Sequence, residues 1–370
     1  MAEKKMKIYH VLTDRNIGGA GRWLLYYLKY CDRTRFDVRV VLPKDSLLVA
    51  EVEKLEIPVI GMEGMTDSSW DKKALHPLTE LFQKDKPDVV HTHASLTARI
   101  AARKAGIKQI FHTKHCMESQ GNVIKKLVKR TINHHCSNRI IAVSKAVKRS
   151  MIAGGTDARQ IVTIYNGIDP IEPLTIEEKQ AVRQSFGIAE GQKAVGIAAR
   201  LEEVKDHKTF LRAAEILAKK HKDITFLIIG DGSLREYLEA EAKVMGLQER
   251  IIFTGFVTDV EKLEAALDIA VITSKQEALC LSLIEAMSAG VPAIGTDSGG
   301  VSEVIRHGEN GFLVPVGDSQ TLAKGIEDIL YDEKCYAAMR ENAMQWTRKQ
   351  FAADKMAAQI EKLYMEDKKR

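Results

Sequence analysis

Four places in this 370-residue chain combine residue types at spacings that can do chemistry. Arg200 and Lys205 stand five apart, just behind the apolar run Ala194–Ala199. A rigid guanidinium fork and a mobile ammonium can close on one anion, and a pyrophosphate suits the pair. A solvated salt-bridge face is the plainer alternative for the same two residues. Glu277 and Glu285 stand eight apart. Carboxylates accept hydrogen bonds from vicinal sugar hydroxyls, each charge-assisted bond contributing about 1.5–3 kcal/mol. On one continuous helix the two would lie ~12 Å apart along the axis, and a loop between them would change that. Glu285 sits among apolar residues from Leu281 to Ala289 and so requires a partner; an ion pair stapling a helix is the plainer reading. Ile17-Gly18-Gly19-Ala20-Gly21 and Thr296-Asp297-Ser298-Gly299-Gly300 are glycine-containing segments, each placed between a strand-like run and a helical pattern. Backbone amides in such turns can approach a phosphate or a sugar, aided by the positive end of the following helix. Gly19-x-Gly21-x-x-Leu24 is an incomplete dinucleotide fingerprint, and a tight strand-to-helix turn explains it equally well.

These residues need strand ends to hold them. Short apolar runs predict strands at Lys7–Leu12, Phe36–Leu42, Asp88–Thr92, Gln109–Thr113, Arg139–Val143 and Ile161–Tyr165. A second series is predicted at Ala194–Ala199, Thr225–Gly230, Ile251–Thr254, Ile269–Thr273, Pro292–Gly295 and Gly311–Val314. Helical patterns alternate with them, for example Gly21–Lys29, Leu75–Gln83, Ser95–Lys104 and Ile176–Phe186. Nearly continuous apolar strands between helices indicate buried parallel sheets, hence an α/β chain of two Rossmann-like, doubly wound domains. Asn166-Gly167-Ile168-Asp169-Pro170 punctuates the pattern and places the boundary, giving domains 1–170 and 171–350. Glu333–Arg370 lacks Gly and Pro and reads as one long helix or two consecutive ones.

Composition narrows the classes. With 45% hydrophobic and 28% charged residues the chain can bury real cores. No charge-free stretch approaches the ~18 apolar residues of a membrane span, and the N-terminus carries no apolar signal core. The five cysteines are scattered without a Cys-x-x-Cys spacing, which fits a reducing, cytoplasmic compartment. Residues 89–156 hold thirteen Lys or Arg against one acid, Glu118, a local charge of +12 that leaves −7 for the rest. Within that region Val123, Ile124, Leu127, Val128 and Ile132 share one face of a predicted helix, and Lys125, Lys126, Lys129 and Arg130 the other. Such a helix suits an anionic membrane surface, or equally a sheet beneath it and solvent above. Nucleic acid is set aside because no recognised binding module is present. His134-His135-Cys136 lacks the spaced partner pair of a metal site.

Taken in order along the chain, these motifs resemble glycosyltransferase family 4, the retaining, nucleotide-sugar-dependent enzymes of the GT-B fold. The residues that carry the resemblance are Gly18-Gly19-Ala20, Tyr165-Asn166-Gly167-Ile168-Asp169, Arg200-Leu201-x-x-x-Lys205-Asp206, Ile229-Gly230-Asp231-Gly232, Glu277 through Glu285-Ala286-Met287, Ser298-Gly299-Gly300 and Asn310-Gly311-Phe312-Leu313-Val314-Pro315. The resemblance implies two domains facing across a cleft: residues 1–170 binding the acceptor, 171–350 the nucleotide-sugar, and a final helix in 351–370 crossing back to the first. Arg200 and Lys205 would neutralise the donor pyrophosphate. Glu285 would hold the ribose hydroxyls, and Glu277 the transferred sugar or its phosphate end. Gly18 and Gly19 would let the first domain approach the diphosphate, with Leu281 and Ser282 completing the donor site. His115, in Phe111-His112-Thr113-Lys114-His115, would stand near the donor sugar, with His91-Thr92-His93 as a further pocket wall. The implied catalytic set is His115, Glu277, Arg200 and Lys205. The donor would be UDP- or GDP-linked, and the acceptor a glycan or lipid-linked glycan. No Asp-x-Asp occurs, so Arg200 and Lys205 would take over the charge stabilisation that a metal supplies elsewhere; no metal and no cofactor are expected. The basic region adds a peripheral position on the inner membrane face to the cytoplasmic expectation.

The sequence also departs from the family pattern. Ala278-Leu279-Cys280 follows the first Glu where a glycine is usual, Ser302 stands where proline is common, and Gly21 where an acid is frequent. Two other classes compete: a silent nucleotide-sugar-binding subunit of a larger assembly, and a dinucleotide-dependent oxidoreductase using Gly18–Gly21. The second lacks a strand-end acid at ~20 residues, Asp37 lying early in its strand.

Overall fold

The computed structural model describes residues 4–119 and 121–367. The chain divides into two compact units, Met1–Asp169 with Phe351–Arg370, and Pro170–Gln350. The first is built on seven strands: β1 Met6–Leu12, β2 Phe36–Pro43, β3 Val59–Met62, β4 Val89–His93, β5 Gln109–Lys114, β6 Arg139–Ala142 and β7 Ile161–Thr163. Their order is β3-β2-β1-β4-β5-β6-β7, every pair parallel. The second unit has six: β8 Lys193–Ala198, β9 Ile224–Ile229, β10 Ile251–Gly255, β11 Ile269–Ile272, β12 Ala293–Thr296 and β13 Gly311–Val314. Their order is β10-β9-β8-β11-β12-β13, again all parallel. Both sheets are doubly wound. Strand order reverses between β1 and β4 in one and between β8 and β11 in the other, and ligand crevices of such sheets open at the carboxyl ends beside those switch points.

The strands form where apolar runs can be covered on both faces; all of β4 and β11 is buried. β3 escaped the sequence reading because it has four residues and no buried one, an edge strand without an apolar signature. Helices start where the sequence offers caps. The Asp71 side chain accepts from the backbone of Lys73 and Ala74 at the start of Lys72–Asp85, and Thr175 with Glu178 forms a capping box for Ile176–Ser185.

The C-terminal stretch is two helices. Glu333–Gln350 lies in the second unit and Ala353–Asp367 in the first, where Met356, Ile360 and Tyr364 join the core around Trp23, Tyr27 and Phe36. No Gly or Pro marks the break. Phe351 is buried there, its carbonyl accepting from Ile168 N–H at 2.8 Å, and Ala353 N–H donates to Ile168 O at 3.0 Å.

Helix Val123–Cys136 removes the reading in which the apolar face of the basic segment packs on a sheet. Its apolar stripe does not meet the sheet. Val123, Ile124, Leu127 and Val128 are 81%, 72%, 64% and 52% exposed. The helix is anchored by its polar Asn133, buried, which accepts from Arg99 Nη1 at 2.9 Å and donates to Thr156 Oγ1 at 2.9 Å. Among the described residues no helix is long and apolar enough to cross a membrane. All five cysteines are free.

Candidate active site

In the second unit the loops that leave β8 and β11 meet at the switch point. Arg200–Lys205 follows β8. It is held by the turn after β9, where Gly230 has φ +130° and an added Cβ would lie 2.3 Å from Ala199 O. Only glycine allows the two loops this approach. Leu201 N–H donates to Asp231 O and Leu234 N–H to Leu201 O, both at 3.0 Å. A single turn, Glu203–Lys205, then delivers Lys205 toward β11, where Thr273 Oγ1 donates to Lys205 O at 2.9 Å.

There Lys205 Nζ donates to Glu277 Oε2 at 2.6 Å, and Ser274 Oγ donates to the same oxygen at 3.1 Å. Burial pulls the Lys205 pKa down, but the Glu277 charge and hydrogen bond more than restore it, so the ammonium stays protonated. Arg200 is not drawn in. Its side chain is 76% exposed and pairs with Glu202 at 2.8 Å, an exposed ion pair that a ligand can displace at low cost.

The segment from Glu277 to Glu285 is not one helix. Residues 277–280 form a loop, and the helix is Leu281–Ser288. Cys280 occupies its N-cap, and its side chain makes no capping bond to the first amides of the helix. Helix N-termini of this kind are ready anion sites. Burial pushes the Cys280 thiol up to about 12, which makes it a small neutral packing residue and not a nucleophile. Glu285 lies in the second turn and is 1% exposed. The loop after β12 braces this segment from the other side. Gly299, at φ +58°, lies so close that a Cβ would stand 1.9 Å from Glu277 O, while Gly300 N–H donates to that oxygen at 2.9 Å. Thr296 Oγ1 and Ser298 Oγ both donate to Ser274 O at 2.7 Å. Lys205, Glu277, Leu281, Ser282 and Glu285 are thus gathered by three strand-end loops, with Thr273, Ser274 and Thr296 as braces that sequence spacing did not reveal.

In the first unit Gly18 is the extended N-cap of helix Gly19–Tyr30, again without a side-chain cap. A Cβ on Gly18 would meet nothing within 4 Å, whereas one on Gly21 would press Leu48 at 2.9 Å. Gly21 is therefore a helix-packing residue, which removes its weight from the dinucleotide fingerprint. Gly18 is required by neither backbone nor packing. Gly18→Ala is expected to change stability by about 1 kcal/mol or less, yet to lower sugar transfer at least tenfold if a substrate must approach this backbone. Parallel melting curves and turnover check it; unchanged turnover would free Gly18 of that role.

His115 follows β5 and joins a cluster of buried imidazoles. Its Nε2 is hydrogen-bonded to His93 Nδ1 at 3.0 Å, and His93 Nε2 to His10 Nδ1 at 3.2 Å. His91 faces inward, bonded to the Tyr364 hydroxyl through Nδ1 and to Thr113 Oγ1 through Nε2 at 2.7 Å. It is a core staple and not a pocket wall. Burial pushes His10 and His115 down to about 3 and His91 and His93 well below the usual value, so all are neutral near pH 7. Strand alternation puts His91 and His93 on one face, which the sequence shows; that His10 sits opposite them follows only from the β1–β4 register. His134 and His135 are exposed and belong to no metal-sized group among the described residues.

Comparison with known proteins bears on the family and the fold. Residues 17–172 match the family model described as Glycosyltransferase Family 4, and residues 178–346 the model described as Glycosyl transferases group 1. The chain is 27% identical to UDP-Gal:alpha-D-GlcNAc-diphosphoundecaprenol alpha-1,3-galactosyltransferase of Escherichia coli, over 98% of this chain and 97% of that protein. It is 27% identical to N-acetyl-alpha-D-glucosaminyl L-malate synthase of Bacillus anthracis, over 80% and 79%. Among solved structures, Anabaena Alr3699/HepE in complex with UDP-glucose superposes with a TM-score of 0.85 at 25% identity, covering 98% of this chain and all of that one. With both halves matched in sequence and the fold matched over 98% of the chain, the chain is a glycosyltransferase of family 4 with the two Rossmann-like units of the GT-B fold.

Proposed function

We propose that this glycosyltransferase moves a sugar from a UDP-sugar to a hydroxyl of a glycan or lipid-linked acceptor, with retention of anomeric configuration and without a metal ion. The observation that carries the reading is the Lys205–Glu277 pair, set beside the uncapped start of helix Leu281–Ser288. As the donor's sugar–phosphate bond breaks, negative charge builds on the outer phosphate of the leaving nucleotide. Lys205 turns from Glu277 to that phosphate, Arg200 leaves Glu202 to join it, and the Leu281 and Ser282 amides add their dipole. Glu285 accepts from the ribose hydroxyls, and Glu277 takes hydroxyls of the sugar. The departing phosphate receives the acceptor's proton on the same face, the course that the family resemblance implies for retention. UDP is favoured over GDP because the Escherichia coli relative is named for UDP-Gal and HepE was solved with UDP-glucose. The Escherichia coli relative's name also supports a lipid-linked acceptor. The exposed stripe of helix Val123–Cys136, with Lys125, Lys126 and Arg130 beside it, would place the enzyme on the anionic cytoplasmic face of a membrane.

Thermal unfolding with UDP, GDP, ADP and CDP, with and without EDTA, tests the donor reading. UDP at a hundred times its dissociation constant should stabilise the fold by ~2.7 kcal/mol, insensitive to EDTA and lost in Glu285→Ala. A shift with GDP alone would rename the donor, a shift abolished by EDTA would end metal independence, and a shift retained by Glu285→Ala would remove the ribose role.

A further inference from the structure

We propose that Trp70 determines acceptor specificity: its exposed indole is the platform on which a neutral sugar ring of the acceptor stacks. This rests on the sugar-transfer reading above. That reaction needs two substrates, and Lys205, Glu277 and the start of helix Leu281–Ser288 commit the carboxyl end of the second sheet to the donor. The carboxyl end of the first sheet is left for the other substrate. Such sheets take ligands there, beside the switch point between β1 and β4. The chain has three tryptophans. Trp23 is fully buried and stacks on Tyr27. Trp346 donates from Nε1 to Val304 O at 3.0 Å and carries the Arg306 guanidinium 3.6 Å over its ring. Trp70 is 49% exposed, and among the described residues no ring contact or hydrogen bond engages its indole.

Trp70 belongs to the loop of residues 63–71, between β3 and helix Lys72–Asp85. β3 is an edge strand, yet the loop reaches the carboxyl end of β4, three places along the sheet. Ser69 O accepts from Leu96 N–H at 2.8 Å and Thr97 N–H at 3.1 Å, at the start of the helix that follows β4. Asp71 N–H donates to Thr97 Oγ1, and Ser69 Oγ to Ala94 O, both at 2.7 Å. The loop also passes the segment behind β1, where burial and then the Asp67 charge raise the Asp14 carboxyl. Both neighbours of Trp70 are thus bolted beside the switch point. Ala94, which accepts from Ser69, has φ +66°. A residue with a Cβ holds that conformation only under constraint, and such positions gather at ligand sites. An indole held on both sides gives up little freedom when a ligand stacks on it.

The charges around Trp70 select the ligand. Residues 63–73 hold three acids, Glu63, Asp67 and Asp71, and two bases, Lys72 and Lys73. Glu63 is paired with Lys44 at 2.8 Å, and Asp71 is spent as the helix cap. No cationic cluster is present to take a diphosphate or an anionic surface, in contrast to helix Val123–Cys136. A neutral sugar ring fits instead. Its C–H face covers the indole, and its hydroxyls donate to a carboxylate such as the exposed Asp67.

The test is saturation-transfer difference NMR of the full chain, with and without UDP. The probes are the methyl α- and β-glycosides of glucose, galactose, mannose and N-acetylglucosamine. At least one glycoside is expected to take saturation at its ring C–H protons from the wild type. Trp70→Ala should raise the dissociation constant of that glycoside about tenfold, the effect of uncovering one apolar ring face. Trp70→Leu should weaken it as well, because leucine supplies apolar surface without a flat face, while Trp70→Phe should retain it. Melting curves taken with UDP on the same proteins read the donor site, and the UDP shift should persist in all three variants. No saturation of any glycoside, or equal saturation in Trp70→Ala, would overturn the proposal. So would a UDP shift lost in Trp70→Ala, which would make Trp70 a donor residue, or a loss of binding to anionic vesicles, which would make it a membrane anchor. A wild type that shows no UDP shift refutes the donor reading; a UDP shift without glycoside saturation refutes the role of Trp70 alone.

Discussion

Lys205→Met should lower sugar transfer by about 10²–10³-fold, the usual effect of removing one preorganised group aimed at developing charge. The difficulty is that Lys205 also holds Glu277, and both side chains are less than one-fifth exposed. Removing the ammonium leaves a half-sealed carboxylate with only Ser274, among the described residues, to satisfy it. That should cost about 2–3 kcal/mol of stability, just under the range for fully buried pairs because some solvent still reaches the site. Activity and stability can be separated with the double variant Lys205→Met/Glu277→Gln. A neutral amide needs no cation, so most of the lost stability should return. Transfer should not, since the phosphate still lacks its charge and the sugar also loses the Glu277 carboxylate, whose share Glu277→Gln alone measures. If the double variant recovers transfer together with stability, Lys205 is a strut for Glu277 and nothing more. Arg200→Met provides the contrast: its exposed pair with Glu202 contributes at most about 1 kcal/mol, so any large loss there belongs to the ligand and not to the fold.

The parallel strands were legible because burial on both faces writes them as apolar runs, and the strand-end motifs were legible because such sheets place ligands there. What could not be read depended on the register between elements distant in sequence. The spacing of Glu277 and Glu285 gave a distance only for a helix, and the chain forms a loop up to Cys280, against which Gly299 and Gly300 press from 22 residues away. Arg200 and Lys205 looked equivalent by spacing. A single turn, Glu203–Lys205, sends one toward Glu277 and leaves the other in solvent. The break between Gln350 and Ala353 has no helix-ending residue; it is made by backbone pairing with Ile168. The histidine cluster has the same origin, since β1, β4 and β5 bring together residues up to 105 positions apart.

Replacing Val123, Ile124, Leu127 and Val128 together by Ser should lower binding to anionic vesicles at least a hundredfold and leave the fold intact. Helical period alone could not decide whether this stripe faced a sheet or solvent, because both surroundings select it. Four large apolar side chains more than half exposed on one stripe are unusual for a surface helix that serves only as cover. Each gains up to roughly 1.5–3 kcal/mol on full burial, and partial insertion of four gives several kcal/mol in sum. Lys125, Lys126 and Arg130 each add about 1 kcal/mol near an anionic surface, while Lys129 is already engaged by Glu118 at 2.7 Å. Serine has a helix propensity close to that of Val and Ile, and the helix is anchored through Asn133, so the quadruple variant should melt within about 1 kcal/mol of wild type. Charge reversal of Lys125, Lys126 and Arg130 should instead weaken binding in a salt-dependent manner, since exposed charges are screened beyond ~8 Å at physiological ionic strength. Co-sedimentation with anionic and neutral vesicles reads all three proteins. Equal binding of the wild type to both vesicle types would refute the membrane reading. If binding is lost but transfer to a water-soluble acceptor persists, the helix delivers the enzyme to its acceptor and takes no part in the chemistry at Lys205 and Glu277.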